Sequence, residues 1–198
     1  DELGLLIAVY GHLYIDPIYA KEFKKGENQS GNLVEMDLLP YLFRKYGTGL
    51  PKEVSGWYLL VVYDIKENRV LIMNSKLGMI PVYYTETRGL LIFSSKQKSI
   101  LKSGLITTQI NKTTVAECLL FNFPVSNNTY VENIRQLESA SIIEVKGSMV
   151  EKRKYWDITE LFGLESLSNR DSVELIDDTL AKVIKKITSG EDYFATTL

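Results

Sequence analysis

The sequence predicts an α+β protein in which antiparallel sheets are flanked by helices, and two features carry that prediction. Between residues 55 and 94, apolar runs rich in strand formers follow one another across short polar or Gly/Pro turns. A second pair of runs, 140–145 and 149–155, surrounds Lys146-Gly147-Ser148 and predicts a β-hairpin. Strands joined by short turns favour antiparallel sheets over a parallel design, in which helices would alternate with strands.

The N-terminal third supplies a strand and a helix. Leu5 to Tyr10 is a short apolar run that predicts a strand ended by Gly11, and residues 14–30 are predicted to be irregular. Apolar residues recur at i, i+1, i+4 and i+5 between Glu35 and Tyr46, which predicts an amphipathic helix with Pro40 in its first turns.

The remaining elements follow in order. The central block predicts a strand at 55–64, a strand at 70–73, a loop at 77–81, strands at 82–84 and 90–94, and a helix at 96–102. A helix at 113–121 is predicted to be capped by Thr113 or Thr114, with Glu117 placed for a capping box. After the hairpin, a helix from Asn169 and a strand at 192–198 are predicted.

Composition excludes several classes of protein. Of 198 residues, 45% are hydrophobic and 24% charged, and the formal net charge of −2 gives no sign of a nucleic-acid or anionic-membrane partner. No apolar run approaches the roughly 18 residues that cross a bilayer. The first residues do not have a signal-peptide layout, and a single cysteine, Cys118, suits a reducing compartment. We therefore expect a cytoplasmic protein.

The block from Ser55 to Leu101 resembles the glutaminase domain of the asparagine synthetase family, the class II glutamine amidotransferases. The shared landmarks are Gly56 before a long apolar strand, Gly78 and Pro81 in the following loop, Tyr83-Tyr84, and Phe93-Ser94-Ser95-Lys96 at a helix start. Tyr155-Trp156 resembles the dipeptide that ends this domain in the family.

The resemblance implies a fold like that of the N-terminal-nucleophile (Ntn) hydrolases, an αββα sandwich of two antiparallel sheets between helices. It implies a glutaminase-like domain at 1–160, a linker at 161–168 and the start of an α/β ATP-pyrophosphatase-type synthetase domain at 169–198. ATP and Mg²⁺ would be used by that second domain.

The family's catalytic nucleophile is not found in the chain. In the family an N-terminal cysteine attacks the glutamine carboxamide and its own amine acts as the base. Position 1 here is Asp, and Cys118 is expected to pack on the apolar side of a helix. The match begins partway through the family's domain, so either an initial segment precedes this sequence or the domain is shortened. We expect no catalytic residue in this chain.

Three positions correspond to the family's glutamine pocket. The Asn-Gly pair of the oxyanion hole reads Tyr10-Gly11, and a carboxylate that holds the substrate's amino group in the family falls at Glu35. His12 replaces a glutamate and is expected to be a surface residue.

In the following loop, the residues that shape the backbone are kept and the charged residues are not. Gly78 and Pro81, which shape the family's loop, are present, whereas an Arg-Asp pair reads Asn74-Ser75. The sequence contains no Cys/His cluster of the kind that would predict a metal site. This pattern favours a retained fold with lost glutaminase chemistry.

Three functions remain open at this point. The parent protein is an ATP-dependent amide-forming ligase with an inactive glutaminase-like domain, or an active glutamine-hydrolysing asparagine synthetase, or a non-catalytic binding or scaffold module. The expected partners are a glutamine-like small molecule, the chain's own synthetase domain and, as an open option, a second copy in a homodimer.

Overall fold

The computed structural model describes residues 4–27, 35–162 and 168–188 and divides the chain into two compact units, Asp1–Asp157 and Ile158–Leu198. The predicted strand at 192–198 lies outside the described residues, as do residues 163–167 of the predicted linker. The assignment of the two units to a glutaminase-like and a synthetase domain stays a prediction.

The larger unit contains eight strands within the described residues. In chain order they are β1 (Leu5–Ile15), β2 (Val54–Asp64), β3 (Arg69–Asn74), β4 (Tyr83–Thr87), β5 (Leu90–Ser94), β6 (Arg135–Gln136), β7 (Ser141–Lys146) and β8 (Met149–Lys154). Sheet A has the order β1-β2-β3-β7-β8, and sheet B has the order β5-β4-β6. Each neighbouring pair is antiparallel.

Six α-helices and two short 3₁₀ turns complete the described part of the chain. The helices are α1 (Pro17–Glu27), α2 (Glu35–Tyr46), α3 (Leu50–Glu53), α4 (Gln97–Lys102), α5 (Lys112–Phe121) and α6 (Asn169–Thr188), and the 3₁₀ turns are Gly47–Gly49 and Ile158–Leu161.

Sheet A has a buried core on each of its two faces, because side chains alternate along its strands. On one face Leu60 and Val62 pack with the apolar side of α2. On the other face Leu59, Ile72 and Ile143 pack with residues of sheet B and the loop before it. Helix α4 contacts β4 and β5 of sheet B. These layers confirm the predicted α+β class and the Ntn-hydrolase-like sandwich of two antiparallel sheets.

The prediction that Gly11 ends the first strand was wrong. Strand β1 continues to Ile15 and pairs with β2 along its whole length, with Gly11 opposite Tyr58. A glycine within a paired strand marks a close approach of the backbones rather than a strand end. Such a close approach is present at Gly11, where the Trp57 carbonyl leaves no room for a Cβ.

The prediction of irregular structure at 14–30 was also wrong for residues 14–27, because β1 runs to Ile15 and α1 occupies Pro17–Glu27, while residues 28–30 lie outside the described residues. The Asp16 carboxylate accepts a hydrogen bond from the Ile18 N–H at 3.0 Å, and Pro17 stands at the first helical position. Both are helix-start features. Tyr19 and Phe23 pack against the core of sheet A, which fixes this helix by its aromatic side chains.

Helix α5 forms where the sequence predicts it but is capped differently. The Asn111 side chain accepts the Thr114 N–H at 3.1 Å, so Asn111 is the N-cap. Glu117 accepts instead from the Val125 N–H in the loop beyond the helix. Neither predicted threonine cap forms, because an asparagine stands ahead of both threonines and caps equally well.

The smaller unit contains α6, which begins at Asn169 as predicted. The Ser168 hydroxyl accepts the Asp171 N–H at 3.2 Å and donates to the Asp171 carboxylate, an arrangement that caps the helix. Among the residues that the structure describes, no helix combines the length and the apolarity needed to cross a bilayer.

Candidate functional site

The candidate site begins at Gly11 in β1 and Gly56 in β2, and each glycine lies against the backbone of the other strand. A Cβ on Gly11, whose φ is +102°, would lie 2.3 Å from the Trp57 carbonyl oxygen and 2.6 Å from Cδ1 of Ile80. A Cβ on Gly56, whose φ is +115°, would lie 2.3 Å from the His12 carbonyl oxygen. Glycine is therefore required at both positions by backbone geometry and by space. The packing of β1 on β2 explains Gly11 without any catalytic role.

Tyr10 stands beside this glycine and its side chain is 64% exposed. It lines a cleft of about 540 Å³ that we call the Tyr10 cleft. The other lining residues come from β2, from the loop before β4 and from the turn before α4; they are Trp57, Met79, Ile80, Pro81, Ser95 and Lys96. Four separate segments of the chain thus meet around one concave surface.

The Tyr10 cleft is mainly apolar and aromatic. Trp57 is 46% exposed and Met79 68% exposed, so large apolar side chains face the solvent here. The His12 ring lies against Trp57, with 4.6 Å between the ring centroids. Exposed apolar groups gathered in a concave site are typical of ligand-binding surfaces. Lys96 is the one charged residue among those that line the cleft.

Gly78 and Pro81, the two residues predicted to shape the loop before β4, have different roles. Pro81 lies in the wall of the Tyr10 cleft. Gly78 has a φ of +58°, donates its N–H to the Ser75 carbonyl at 2.9 Å, and would place a Cβ only 3.1 Å from Cα of Ser139. Gly78 therefore serves the turn and its packing on Ser139, whereas Pro81 shapes the cleft.

Asn74 forms a buried junction that sequence reasoning missed. Its Nδ2 donates to the Glu138 carbonyl at 2.7 Å, and its Oδ1 accepts the Ser141 N–H at 2.8 Å. Its own carbonyl accepts the Tyr155 hydroxyl at 2.8 Å. Burial raises the pKa of Tyr155 to about 12, so this donor stays protonated at neutral pH. The sequence signal was a short polar residue directly after an apolar strand, interpreted only as a lost charge.

The remaining candidates lie elsewhere or outside the described side chains. Glu35 begins α2, but its side chain lies outside the described residues, so its contact with a substrate amino group stays a prediction. Cys118 is partly buried in α5, and its interaction with the Tyr130 hydroxyl raises the pKa of Tyr130. Its neighbours Leu119 and Leu120 are exposed, so the expected packing of this helix face is not found among the described residues.

The described part of the chain contains no cluster of metal ligands. No group of three or more His, Cys, Asp or Glu side chains there is arranged to hold a metal ion. In the Tyr10 cleft, the groups that can contact a ligand are the aromatic rings, the Lys96 ammonium group and the Ser95 hydroxyl.

Comparison with known proteins adds a family and several relatives. A family model described as a glutamine amidotransferase domain matches residues 3–156. Glutamine-hydrolysing asparagine synthetase 2 of Bacillus subtilis is 23% identical over 134 residues, which is 64% of this chain and 18% of the relative. Asparagine synthetase 3 of the same organism is 22% identical over 174 residues, 87% of this chain and 27% of the relative.

A further relative and two solved structures are also similar. The amidase chyE of Penicillium rubens is 22% identical over 151 residues, 76% of this chain and 22% of the relative. Glutamine phosphoribosylpyrophosphate amidotransferase of B. subtilis aligns with a TM-score of 0.48 at 10% identity, covering 77% of this chain and 31% of its own. An allosteric regulatory enzyme of purine biosynthesis aligns with a TM-score of 0.49 at 10% identity, covering 76% and 28%. The chain spans about a fifth to a quarter of the curated relatives it matches.

Proposed function

The chain belongs to the family of glutamine amidotransferase domains, and on that premise we propose that it is the glutaminase-like portion of an asparagine-synthetase-type ligase that has lost glutamine hydrolysis. The ligase part of the proposal draws on two relatives named as asparagine synthetases. Since the chain spans only part of their length, the activity and substrates of the whole protein enter as proposals.

The observation that carries the loss of hydrolysis is Tyr10. By the resemblance to the family, this position supplies an asparagine carboxamide to the oxyanion hole. A phenol carries its one O–H at the far end of a rigid ring, so it cannot occupy the position of a carboxamide N–H. Removal of one oxyanion-hole donor costs about 10²–10³ in rate. Gly11 could still supply its own backbone N–H, but that is the family's second donor and does not replace the missing carboxamide.

The character of the Tyr10 cleft supports the same proposal. Glutamine presents a carboxamide, a carboxylate and an ammonium group, each of which needs a polar partner when it leaves water. The cleft presents mainly Trp57, Met79 and the Tyr10 ring. Among its described lining residues only Lys96 and Ser95 add an ammonium group and a hydroxyl, and none is acidic to pair with the ammonium group of glutamine. A ligand with a flat or apolar body matches this surface better than glutamine does.

Asn74 supports the proposal from the loop side. In the resembling family an arginine and an aspartate build a polar network at positions 74 and 75. Here the Asn74 side chain is committed to backbone groups of the 138–141 segment, and Ser75 is buried. The Asn74 amide has become part of the fold, so it is not free to hold a substrate or a catalytic group.

The cofactors and location follow from the ligase proposal. ATP and Mg²⁺ would be held by the synthetase domain that begins near Asn169, and the acceptor would be a carboxylate activated by ATP. The nitrogen would come from ammonia or from an amine of the substrate itself. We assign the protein to the cytoplasm, where ATP and reduced thiols are both abundant.

The test uses the full-length native protein. Release of ammonia from glutamine and release of pyrophosphate from ATP are measured in the same sample, with aspartate as the first acceptor probe. We expect no ammonia from glutamine, and pyrophosphate release that depends on ammonium but not on glutamine. Ammonia release from glutamine would overturn the loss of hydrolysis; no ATP turnover with ammonium and aspartate, nor with an amine-bearing acceptor, would count against the ligase.

A second candidate function is a binding module without ligase activity. It is favoured by the exposed aromatic surface of the Tyr10 cleft, where Trp57 and Tyr10 could stack on a ligand. Trp57 reports on this directly, because its fluorescence changes when a ring stacks on it. Ligand binding at Trp57 in a full-length protein that turns over no ATP would favour this candidate over the ligase.

A further inference from the structure

A second concave region lies at the β6 edge of sheet B. Two clefts, of about 550 and 450 Å³, share the residues Tyr84, Asn128 and Arg135. The smaller one, which we call the Arg135 cleft, also contains Glu132 and several side-chain amides. It is formed by other elements than the Tyr10 cleft, so a ligand site in it is independent of the proposed function.

The Arg135 cleft holds two opposite charges without ion-pair partners in the described part of the chain. Neither the Arg135 guanidinium nor the Glu132 carboxylate takes part in any ion pair there, and no ion pair joins the two to each other. Yet they stand three residues apart and line the same cleft. Opposite charges that face one cavity and do not reach each other are suited to a ligand that carries both signs.

Other charges around the cleft are already paired. Lys152, in the neighbouring cleft, is paired with Glu86 and lies over the Tyr84 ring at 5.1 Å from its centroid. Lys154 is paired with both Glu138 and Asp157. These pairs leave Arg135 as the available cation where the two clefts meet.

The backbone that carries Arg135 and Glu132 is held firmly. Gln136 donates its N–H to the Asn127 carbonyl at 2.8 Å, and the Thr129 hydroxyl donates towards the carbonyls of Val131 and Ile134. Glu132 donates its N–H to the Gln109 carbonyl at 2.9 Å. A cleft with a fixed backbone loses little entropy when a ligand binds, which favours affinity.

Uncharged polar groups complete the lining. Asn111, Asn128 and Asn133 also line the cleft, although the Asn111 side-chain oxygen already caps α5 and the Asn128 side-chain amide donates to the Ser126 hydroxyl at 3.0 Å. Thr85 lines the cleft, is 1% exposed, and its hydroxyl has no hydrogen-bond partner among the described residues. A buried hydroxyl without a partner is uncommon in folded proteins, and a water or ligand group beside it would supply the missing hydrogen bond.

We propose that the Arg135 cleft binds a free α-amino acid as its zwitterion. The carboxylate pairs with the Arg135 guanidinium, which matches it in a bidentate geometry, and the ammonium group pairs with Glu132. A polar side chain on the amino acid is matched by the amides and by Thr85. The Glu86 and Glu132 carboxylates disfavour a phosphate or another multiply charged anion at the same place.

Calorimetric titration of the full chain with L-asparagine, L-glutamine and L-serine tests the proposal. We expect at least one of the three to bind, and Arg135→Gln and Glu132→Gln each to weaken that binding by roughly ten- to a hundredfold, the cost of one charge-assisted hydrogen bond. Arg170→Gln and Glu174→Gln remove the same charges from the exposed face of α6 and are expected to leave binding unchanged.

Two analogues of the bound amino acid separate recognition from a merely structural effect. The methyl ester lacks the carboxylate charge and should bind the Arg135→Gln variant and the original chain equally weakly. The N-acetyl derivative lacks the ammonium charge, so its affinity should be equally weak for the Glu132→Gln variant and for the original chain.

Three outcomes would overturn the proposal. They are no binding of any of the three amino acids at millimolar concentrations, binding that neither Arg135→Gln nor Glu132→Gln alters, and binding of inorganic phosphate alone with loss in Arg135→Gln. Thermal melting of every variant identifies any that fails to fold, and the ester and acetyl comparisons on the original chain then decide the matter.

Discussion

The Asn74 junction and the Tyr10 cleft are both places where the sequence departs from the family it resembles, and they differ in what replaced the family's polar groups. At Asn74 the substitute is buried, and both ends of its amide are used by the backbone of the 138–141 segment. At Tyr10 the substitute is exposed and lies in an open aromatic surface. The comparison teaches that a substituted polar position can be taken into the fold at one place and can line an open surface at another.

The sharpest way to break this comparison is Gly11→Ala, at the border between the two regions. The added Cβ would meet the Trp57 carbonyl oxygen at 2.3 Å, in a backbone conformation that alanine rarely adopts. Strain and overpacking together should lower the free energy of unfolding by about 4 kcal/mol, measured by urea denaturation.

Gly89→Ala is the matched control. Its φ is +75°, but nothing lies within 4 Å of the added Cβ, so it should cost only the conformational part, about 1 kcal/mol. Equal losses in the two variants would contradict the close approach of β1 to β2.

Asn74→Ala tests the buried side of the comparison. It leaves the Glu138 carbonyl and the Ser141 N–H without their partner inside the protein, and should lower the free energy of unfolding by about 3 kcal/mol. Asn127→Ala, which removes an exposed amide bonded to Glu138, should change it by less than about 0.5 kcal/mol. A small effect of Asn74→Ala would show that the junction is not structural.

Asp64 extends the comparison to a buried charge. Burial acts to raise its pKa, but hydrogen bonds from Arg44 at 3.0 and 3.2 Å and the charges of Arg44 and Arg69 outweigh it, so the pKa lies below its usual value. Since the folded pKa is depressed, the stabilisation is complete above the unfolded value of about 3.9 and is lost as pH falls through the folded pKa.

Asp64→Asn should therefore cost about 2 kcal/mol at neutral pH, because Arg44 and Arg69 lose their buried partner but remain partly hydrated. Below pH of about 4 the difference between the variant and the original chain should shrink. Chemical denaturation at a series of pH values measures it, and a difference that is constant with pH would contradict the ion pairing.

Apart from the control variants, Tyr10→Ala should have the smallest effect on stability, about 0.5–1 kcal/mol, since the side chain is mostly exposed and contributes mainly strand propensity. Its effect should appear in the environment of Trp57, which lines the same cleft, as a shift of tryptophan fluorescence. A large loss of stability would show that Tyr10, like Asn74, is a structural residue, and would contradict the contrast between the two sites.

Local patterns predicted the elements whose neighbours in sequence are also their neighbours in space. The apolar spacing of 35–46 predicted α2, and the turn at 146–148 predicted the β7–β8 hairpin, both with the observed bounds within a residue or two. Helix α1 was missed because it is polar overall and is fixed by Tyr19 and Phe23 against a core that the local sequence does not reveal.

The candidate site was predicted less completely, because its meaning depends on distant contacts. The partners of Asn74 lie 64 and 67 residues further along the chain, so no local pattern could distinguish a structural amide from a lost charge. Tyr10 was predicted as a residue of the glutamine pocket and Pro81 as a loop-shaping residue; the structure brings them into one cleft, which the sequence did not predict. Gly78 was predicted as a loop-shaping residue and packs on Ser139, a role that only the fold reveals.

The glycine pair of β1 and β2 has a consequence for how ancestry is inferred. Because Gly11 and Gly56 are each needed for the two backbones to approach, folding alone is a sufficient reason for both glycines, with or without catalysis. Gly11 is therefore a marker of descent and not of activity. A survey that counts enzymes by this glycine alone would count every chain that keeps the close approach of these two strands, whatever its activity.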